Sequence, residues 1–227
     1  MENTNIVIGI EGLVGAGKTS ICRELLKQNE NAILLNGGNL YRAIVYCLMK
    51  KEPNLLKLKK LTKNADIKKY MDDLNVEIRI EDRESKIYID DELADEEELQ
   101  SKASSLAVSI IGGIADNTKL FEFSRELIDR LKKEHVVIVS GRSLMKIYPE
   151  LDYHLFITAS LKERVKRKCI QYNEAEKIKE VKKNIVRRDR LQKIAGFYKI
   201  YPNTIKIDVT DCKTVEESTY KVMEHIK

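Results

Sequence analysis

The residues best placed to do chemistry lie near the start of the chain, in Gly12-Leu13-Val14-Gly15-Ala16-Gly17-Lys18-Thr19. Glycines, a lysine and a threonine at this spacing form a phosphate-binding loop. The backbone N–H groups turn inward toward an anion, the lysine reaches the β and γ phosphates, and the threonine hydroxyl can take a Mg²⁺ position. The apolar run Ile6-Val7-Ile8-Gly9-Ile10 before it predicts a strand, and Thr19 to Lys27 after it predicts a helix. Gly12, Gly15, Ala16, Gly17, Lys18, Thr19 and Ser20 are therefore expected to hold a nucleotide, with Thr19 at the metal. A second candidate is Arg142, which follows Gly141 at the end of the apolar run Val136 to Val139. In an open α/β sheet, the carboxyl end of a strand is where ligands bind.

The elements that must position these residues are short. Ala32 to Leu35, Val136 to Val139, Leu155 to Ile157 and Ile205 to Ile207 read as further strands, and helices are expected between them. Asn36 to Asn39 reads as a turn launching a helix from Tyr41 to Met49, closed by Pro53. Val76, Ile78 and Ile80, then Ile87 and Ile89 across Asp82-Arg83-Glu84-Ser85, predict a β-hairpin. Asn54 to Lys63 reads as a helix or a solvated loop. The acidic run Asp90 to Glu98 suits the start of a helix continuing to Ile111, and Gly112-Gly113 marks a break. Leu120 to Lys133 is an amphipathic helix, Leu161 to Asn173 and Glu174 to Arg190 are basic ones, and Val215 to Ile226 closes the chain. Strands alternating with helices, the loop following the first, predict an α/β fold: a doubly wound, five-stranded parallel sheet forming a P-loop kinase core. A hairpin-bearing lobe is expected at about 62–113 and a basic helical lid at about 160–195, within one domain over 1–227.

Bulk composition agrees. At 227 residues, 43% hydrophobic and 34% charged, the chain reads as a soluble globular protein with no apolar run of membrane-spanning length. The N-terminus shows no basic stretch followed by an apolar core, so a cytoplasmic location is expected. The four cysteines are far apart, with no Cys-x-x-Cys pair and only three histidines in the chain, and are expected to be reduced, mostly buried thiols. The net charge of +5 comes largely from Lys162 to Lys193. Few aromatics accompany those charges, which argues against nucleic acid as a partner.

Several separated segments resemble the bacterial cytidylate kinase family of nucleoside monophosphate kinases. They are Gly15 to Lys18; Gly37-Gly38-Asn39-Leu40-Tyr41-Arg42; the hairpin Val76 to Ile89 followed by Asp90 to Glu92; Val108-Ser109; Arg125-Glu126; Ser140-Gly141-Arg142-Ser143; Glu163-Arg164; and Arg188-Asp189. The resemblance implies transfer of the γ-phosphoryl group of ATP to a pyrimidine nucleoside monophosphate, CMP or dCMP, with Mg²⁺, by a monomeric enzyme. It implies that Lys18, Arg42, Arg142 and Arg188 are catalytic, and that Arg164 and Lys168, together with Arg167, close over ATP. Gly37, Ser109, Arg125 and the three clamp arginines would bind the acceptor. Guanidinium forks suit this task because they grip phosphate oxygens bidentately and stay charged.

The sequence departs from the family in the acceptor half. Ser140 and Ser143 stand where the family has aspartates, Gly37 where it has serine, and Gln192 and Ala195 where the lid has an aspartate and an arginine. Three alternatives follow. A nucleoside kinase would need a carboxylate base near the acceptor hydroxyl, for which Glu11 is the candidate. A nucleotide-binding regulatory protein would keep the loop without turnover, and another small-molecule kinase would keep the donor half alone.

Overall fold

A computed structural model describes residues 6–52, 54, 56–58, 67–111, 118–173 and 175–226. The strands are β1 (Val7–Gly12), β2 (Ala32–Asn36), β3 (Val76–Glu81), β4 (Glu84–Ile89), β5 (Glu92–Leu93), β6 (Val136–Ser140), β7 (Tyr153–Thr158) and β8 (Thr204–Asp208). They form one sheet in the order β3-β4-β2-β6-β1-β7-β8, with β5 on β4. The expected five-stranded parallel core is β2, β6, β1, β7 and β8, in register from Ala32↔Val136 and Val7↔Val137 to Thr158↔Asp208. The hairpin does not stand apart from this core. β4 pairs with the edge of β2 at Leu34↔Glu84 and so extends the same sheet. The hairpin turn is tighter than expected: Asp82 and Arg83 both have positive φ (49° and 64°), which matches a two-residue turn, and Glu84 and Ser85 already belong to β4.

Alternation along β1 explains the two-sided packing. Ile8 and Ile10 join the cluster of helices α1 (Lys18–Gln28) and α10 (Val215–Met223), whereas Val7 packs on the other face with Ile128 of α6 (Thr118–Leu131) and Leu144 of α7 (Leu144–Ile147). A third cluster lies at the hairpin edge. There α2 (Gly37–Lys51) packs against Met71 of α3 (Ile67–Asp73), Leu99 of α4 (Glu96–Leu99), Ala107 and Ile111 of α5 (Lys102–Ile111), and Phe197.

Several boundaries differ from expectation. Asn36 to Asn39 is no turn, because α2 begins at Gly37 directly off β2. The acidic run splits: Asp90 and Asp91 make a second positive-φ turn into β5, and Asp95 then caps α4 by accepting from the amides of Glu97 and Glu98. The basic helices are α8 (Leu161–Gln171) and α9 (Ile178–Ile194), the second extending past Arg190. Gly112-Gly113 and most of Asn54 to Lys63 lie outside the described residues.

Candidate active site

The phosphate loop leaves β1 at Gly12 and enters α1 at Lys18. Gly12 has φ +148°, and a Cβ there would lie 2.1 Å from the Ile157 carbonyl oxygen, so no other residue fits this close approach to β7. Gly17 at the helix N-cap provides no side-chain cap, which leaves the first amides of α1 for an anion. Val14, Gly15, Gly17, Lys18, Thr19 and Ser20 line one end of a cavity of about 620 Å³. Lys18 Nζ donates to the carbonyl oxygens of Gly12 (3.1 Å) and Leu13 (2.9 Å). Burial, and then the charges of Arg142, Lys168 and Arg188, hold its ammonium well below the usual lysine range.

Three arginines meet at the middle of this cavity from three elements. Arg42 lies one turn into α2, whose N-terminus also has no side-chain cap. Gly38 makes room for it, since a Cβ there would come 2.9 Å from Arg42 Nη1. Arg142 follows β6, and Arg188 is buried on the inner face of α9. Among the described residues none of the three is paired with a carboxylate, and the Nε atoms of Arg42 and Arg188 are buried without a hydrogen-bond partner. Burial together with Arg188 and Arg142 lowers the Arg42 guanidinium to about 10. Lys168 on α8 adds another cation, brought down to about 7 by burial, Arg188 and Arg42. The one carboxylate lining the cavity among the described residues is Glu163, and Arg167 holds it at 3.1 Å. Buried like charges without counter-charges fit a polyanionic ligand.

Five expected site residues lie outside the cavity lining: Gly12, at the end of β1, and Ala16, Gly37, Arg125 and Arg164. Arg125 is turned away on α6: Nη2 bonds Glu150 at 2.9 Å and the guanidinium lies over the Tyr148 ring, outside the cavity lining. Arg164 is buried behind the loop, donating to the carbonyls of Ala159 and Val14 and to Asp189 at 2.6 Å, so it braces the loop rather than covering a nucleotide. Gly37 is replaced at the cavity wall by Gly38, because the helix starts at Gly37, inside the expected turn Asn36 to Asn39. Ala16 is fully buried and serves through its carbonyl, which accepts from Arg167 Nη1 at 3.0 Å. Arg167 also donates to Val209 and Cys212, so it too is spent on backbone. Ser109 lies on α5, but its side chain is outside the described residues.

Glu11, the candidate base, points away from the cavity. It is buried on β1, accepts from the Leu144 amide at the start of α7, and lies 3.8 Å from His154. Its place is behind the Arg142 loop. Ser140 lines the cavity and Ser143 is buried at the N-cap of α7 with φ 56°. The described residues contain no cluster of three or more metal-ligating side chains. Thr19 and Ser140 both line the cavity, each with a hydroxyl oxygen able to meet a cation there.

Two residues without an assigned role prove central. Asp189 accepts from Arg164, from the Tyr198 hydroxyl (2.7 Å) and from the Val14 amide (3.4 Å), fastening α9 to the phosphate loop. Gln192 accepts from Arg142 Nε at 3.0 Å. Their signal was the spacing of Val181, Ile185, Arg188 and Gln192, all buried on one helical face in a helix otherwise rich in exposed charge. The far end of the cavity, lined by Tyr41, Val45, Gln100, Ser105, Val108 and Phe197, offers apolar walls with a few polar groups.

The sequence profile of the family described as cytidylate kinase matches residues 8–227. The chain is 26% identical to a cytidylate kinase of Clostridioides difficile over 98% of both chains. It is 29% identical to one of Aquifex aeolicus over 96% of this chain and 95% of the other. Among solved structures, thymidylate kinase from Candida albicans aligns with 98% of this chain and 91% of its own length at 15% identity and a TM-score of 0.45.

Proposed function

We propose that this chain, which belongs to the cytidylate kinase family and is a nucleoside monophosphate kinase, transfers the γ-phosphoryl group of ATP to CMP or dCMP. The observation that carries this reading is the convergence of Arg42, Arg142 and Arg188, without carboxylate partners among the described residues, beside the phosphate loop. A monophosphate acceptor brings its own nucleophilic oxygen. The reaction forms a bond from that oxygen to the γ phosphorus and breaks the bond to the β–γ bridging oxygen, so the protein needs alignment and cationic charge rather than a base. The turning of Glu11 toward Leu144 supports this over a nucleoside acceptor, because a hydroxyl would need a base in the cavity.

In this reading Lys18 and the amides of α1 hold the donor phosphates, the three arginines hold the acceptor phosphate, and Arg142 stands between the two. Lys168 adds charge from the lid side. Thr19 would meet Mg²⁺, which when bound neutralises phosphate charge and orients the donor tail. The pocket beyond Arg42 receives the base of the acceptor. Gln100 and Ser105 supply polar groups there in place of Arg125.

The test is ADP formation from ATP with CMP, dCMP, UMP, AMP, GMP and a nucleoside panel, beside Lys18→Ala and Arg142→Ala. CMP and dCMP are expected to be the best acceptors, with both variants slowed by orders of magnitude. Phosphorylation of nucleosides but of no monophosphate would overturn the reading.

A further inference from the structure

At the far end of the cavity one side-chain amide is held in a single orientation. Gln100 caps the C-terminus of α4, its backbone N–H donating to the Glu96 carbonyl at 2.9 Å, and its own carbonyl accepts from Ser105 Oγ at 3.3 Å. The Glu96 carboxylate, one turn back, accepts from Gln100 Nε2 at 2.7 Å. An ionised carboxylate only accepts, so the amide must turn its nitrogen toward Glu96. Glu96 is itself fixed, by Arg23 of α1 at 2.6 Å and by Asn39 of α2 at 3.1 Å. Burial works against its charge, but the hydrogen bonds from Arg23 and Asn39 hold it below the usual carboxylate range. Gln100 therefore keeps its nitrogen on Glu96, and Oε1 is the amide atom left for the cavity that the residue lines.

The same network ties this amide to the phosphate clamp. Asn39 lies one turn before Arg42 on α2, and Val45, one turn after it, forms part of the cavity wall with Tyr41, Val108 and Phe197. A monophosphate gripped by Arg42 thus has its base among apolar walls, with a fixed hydrogen-bond acceptor beside them.

We propose that Gln100 determines the acceptor base: its oxygen, fixed by Glu96, accepts from the exocyclic amino group of a 4-aminopyrimidine and disfavours the 4-oxo counterpart. The proposal rests on the monophosphate-acceptor reading above. Cytosine brings an N–H donor to this oxygen. Uracil brings an oxygen to the same place, so two acceptors face each other with no hydrogen between them, and Glu96 keeps the amide from answering with its nitrogen. Gln100 meets the substrate in this role, and Glu96 acts through it as a positioning residue.

Steady-state kinetics with CMP, UMP and the pyrimidin-2-one ribonucleoside monophosphate, which carries hydrogen in place of the amino group, test this. Wild type is expected to favour CMP over both others by about tenfold or more in kcat/KM. Gln100→Met keeps the length of the side chain without the acceptor oxygen, and should bring all three within about threefold of one another. Glu96→Gln keeps Gln100 but lets its amide turn over, because a glutamine donates as well as accepts, and the CMP to UMP ratio should fall by about fivefold or more. Each ratio is taken within one preparation, so loss of folded protein, which lowers all turnover alike, does not move it. A ratio left unchanged by either variant overturns the proposal while leaving the monophosphate reading in place. So does a wild type that uses the pyrimidin-2-one analogue as well as CMP, a comparison that needs no variant to fold. A wild type that phosphorylates no monophosphate overturns the underlying reading, and the proposal with it.

Discussion

Lys168 lines the cavity between the phosphate loop and the arginines Arg42 and Arg188, and under the proposed function its protonation is read directly when a nucleotide binds. Its stem packs against the phosphate loop, since a Cβ on Gly15 would lie 3.2 Å from its Cγ, and its Nζ donates to Gln171 at 2.6 Å. Burial first, then Arg188 and Arg42, bring the ammonium down to about 7. The free protein at pH 8 therefore carries Lys168 about nine-tenths neutral, and at pH 6 about nine-tenths charged. Bound phosphates add an attracting anion that offsets the repulsion from the two arginines and restores the proton. Binding of Mg²⁺–ADP at pH 8 should therefore take up close to one proton at Lys168, falling to about a tenth of a proton at pH 6. Titration calorimetry in buffers of different ionisation enthalpy measures this uptake as the slope of apparent binding enthalpy. Lys18 is shifted in the same direction and adds its own uptake, so the relevant quantity is the difference between wild type and Lys168→Met. An identical slope for both at pH 8 would refute the reasoning. The same shift sets a sign for stability. The unfolded chain holds this proton up to about pH 10.4 while the folded one sheds it near 7, so Lys168 favours the free fold more as pH rises through that window. That contribution is lost as pH falls back toward 7.

Two further outcomes test the assignment of individual residues. Arg125→Ala should leave kcat and both KM values at wild-type levels, because its guanidinium is spent on the exposed Glu150 outside the cavity; its melting temperature should shift by no more than the equivalent of about 1 kcal/mol. Gly12→Ala should lose about 3 kcal/mol or more, seen as a fall of roughly 10 °C in the thermal midpoint, because its Cβ would meet the Ile157 carbonyl at positive φ.

How much of this was legible in the sequence depended on whether the determining contact was local. The phosphate loop and the parallel core were legible because glycine spacing and apolar runs act over a few residues. Arg142 was legible for a related reason, since a strand end fixes where the next residue lies. Arg125 and Arg164 were not. Both occupy the expected helices, but the direction of each side chain is set by partners distant in sequence, Glu150 for one and Val14 and Asp189 for the other. The hairpin was read correctly as a hairpin, while its attachment to β2 depended on a single long-range pairing with no local mark.

The arginines sort by what they touch. Arg164 and Arg167 come from α8, and their donors are consumed by carbonyls of the phosphate loop and of the segment after β8, with Asp189 and Glu163 matching their charge. Arg42, Arg142 and Arg188 face one another with no carboxylate partner among the described residues. Compensated charge makes the first pair a scaffold, fastening α8 and α9 to the phosphate loop. Uncompensated charge makes the second set costly to bury in the free protein, and an anion relieves that cost. The serines at 140 and 143 follow the same division, because an aspartate at either place would have supplied the missing counter-charge beside Arg142. Ser140, Ser143 and Gln192 thus each lack a carboxylate that the family pattern has, while Ala195 lacks an arginine, and among the described residues Glu163 is left as the carboxylate lining the cavity.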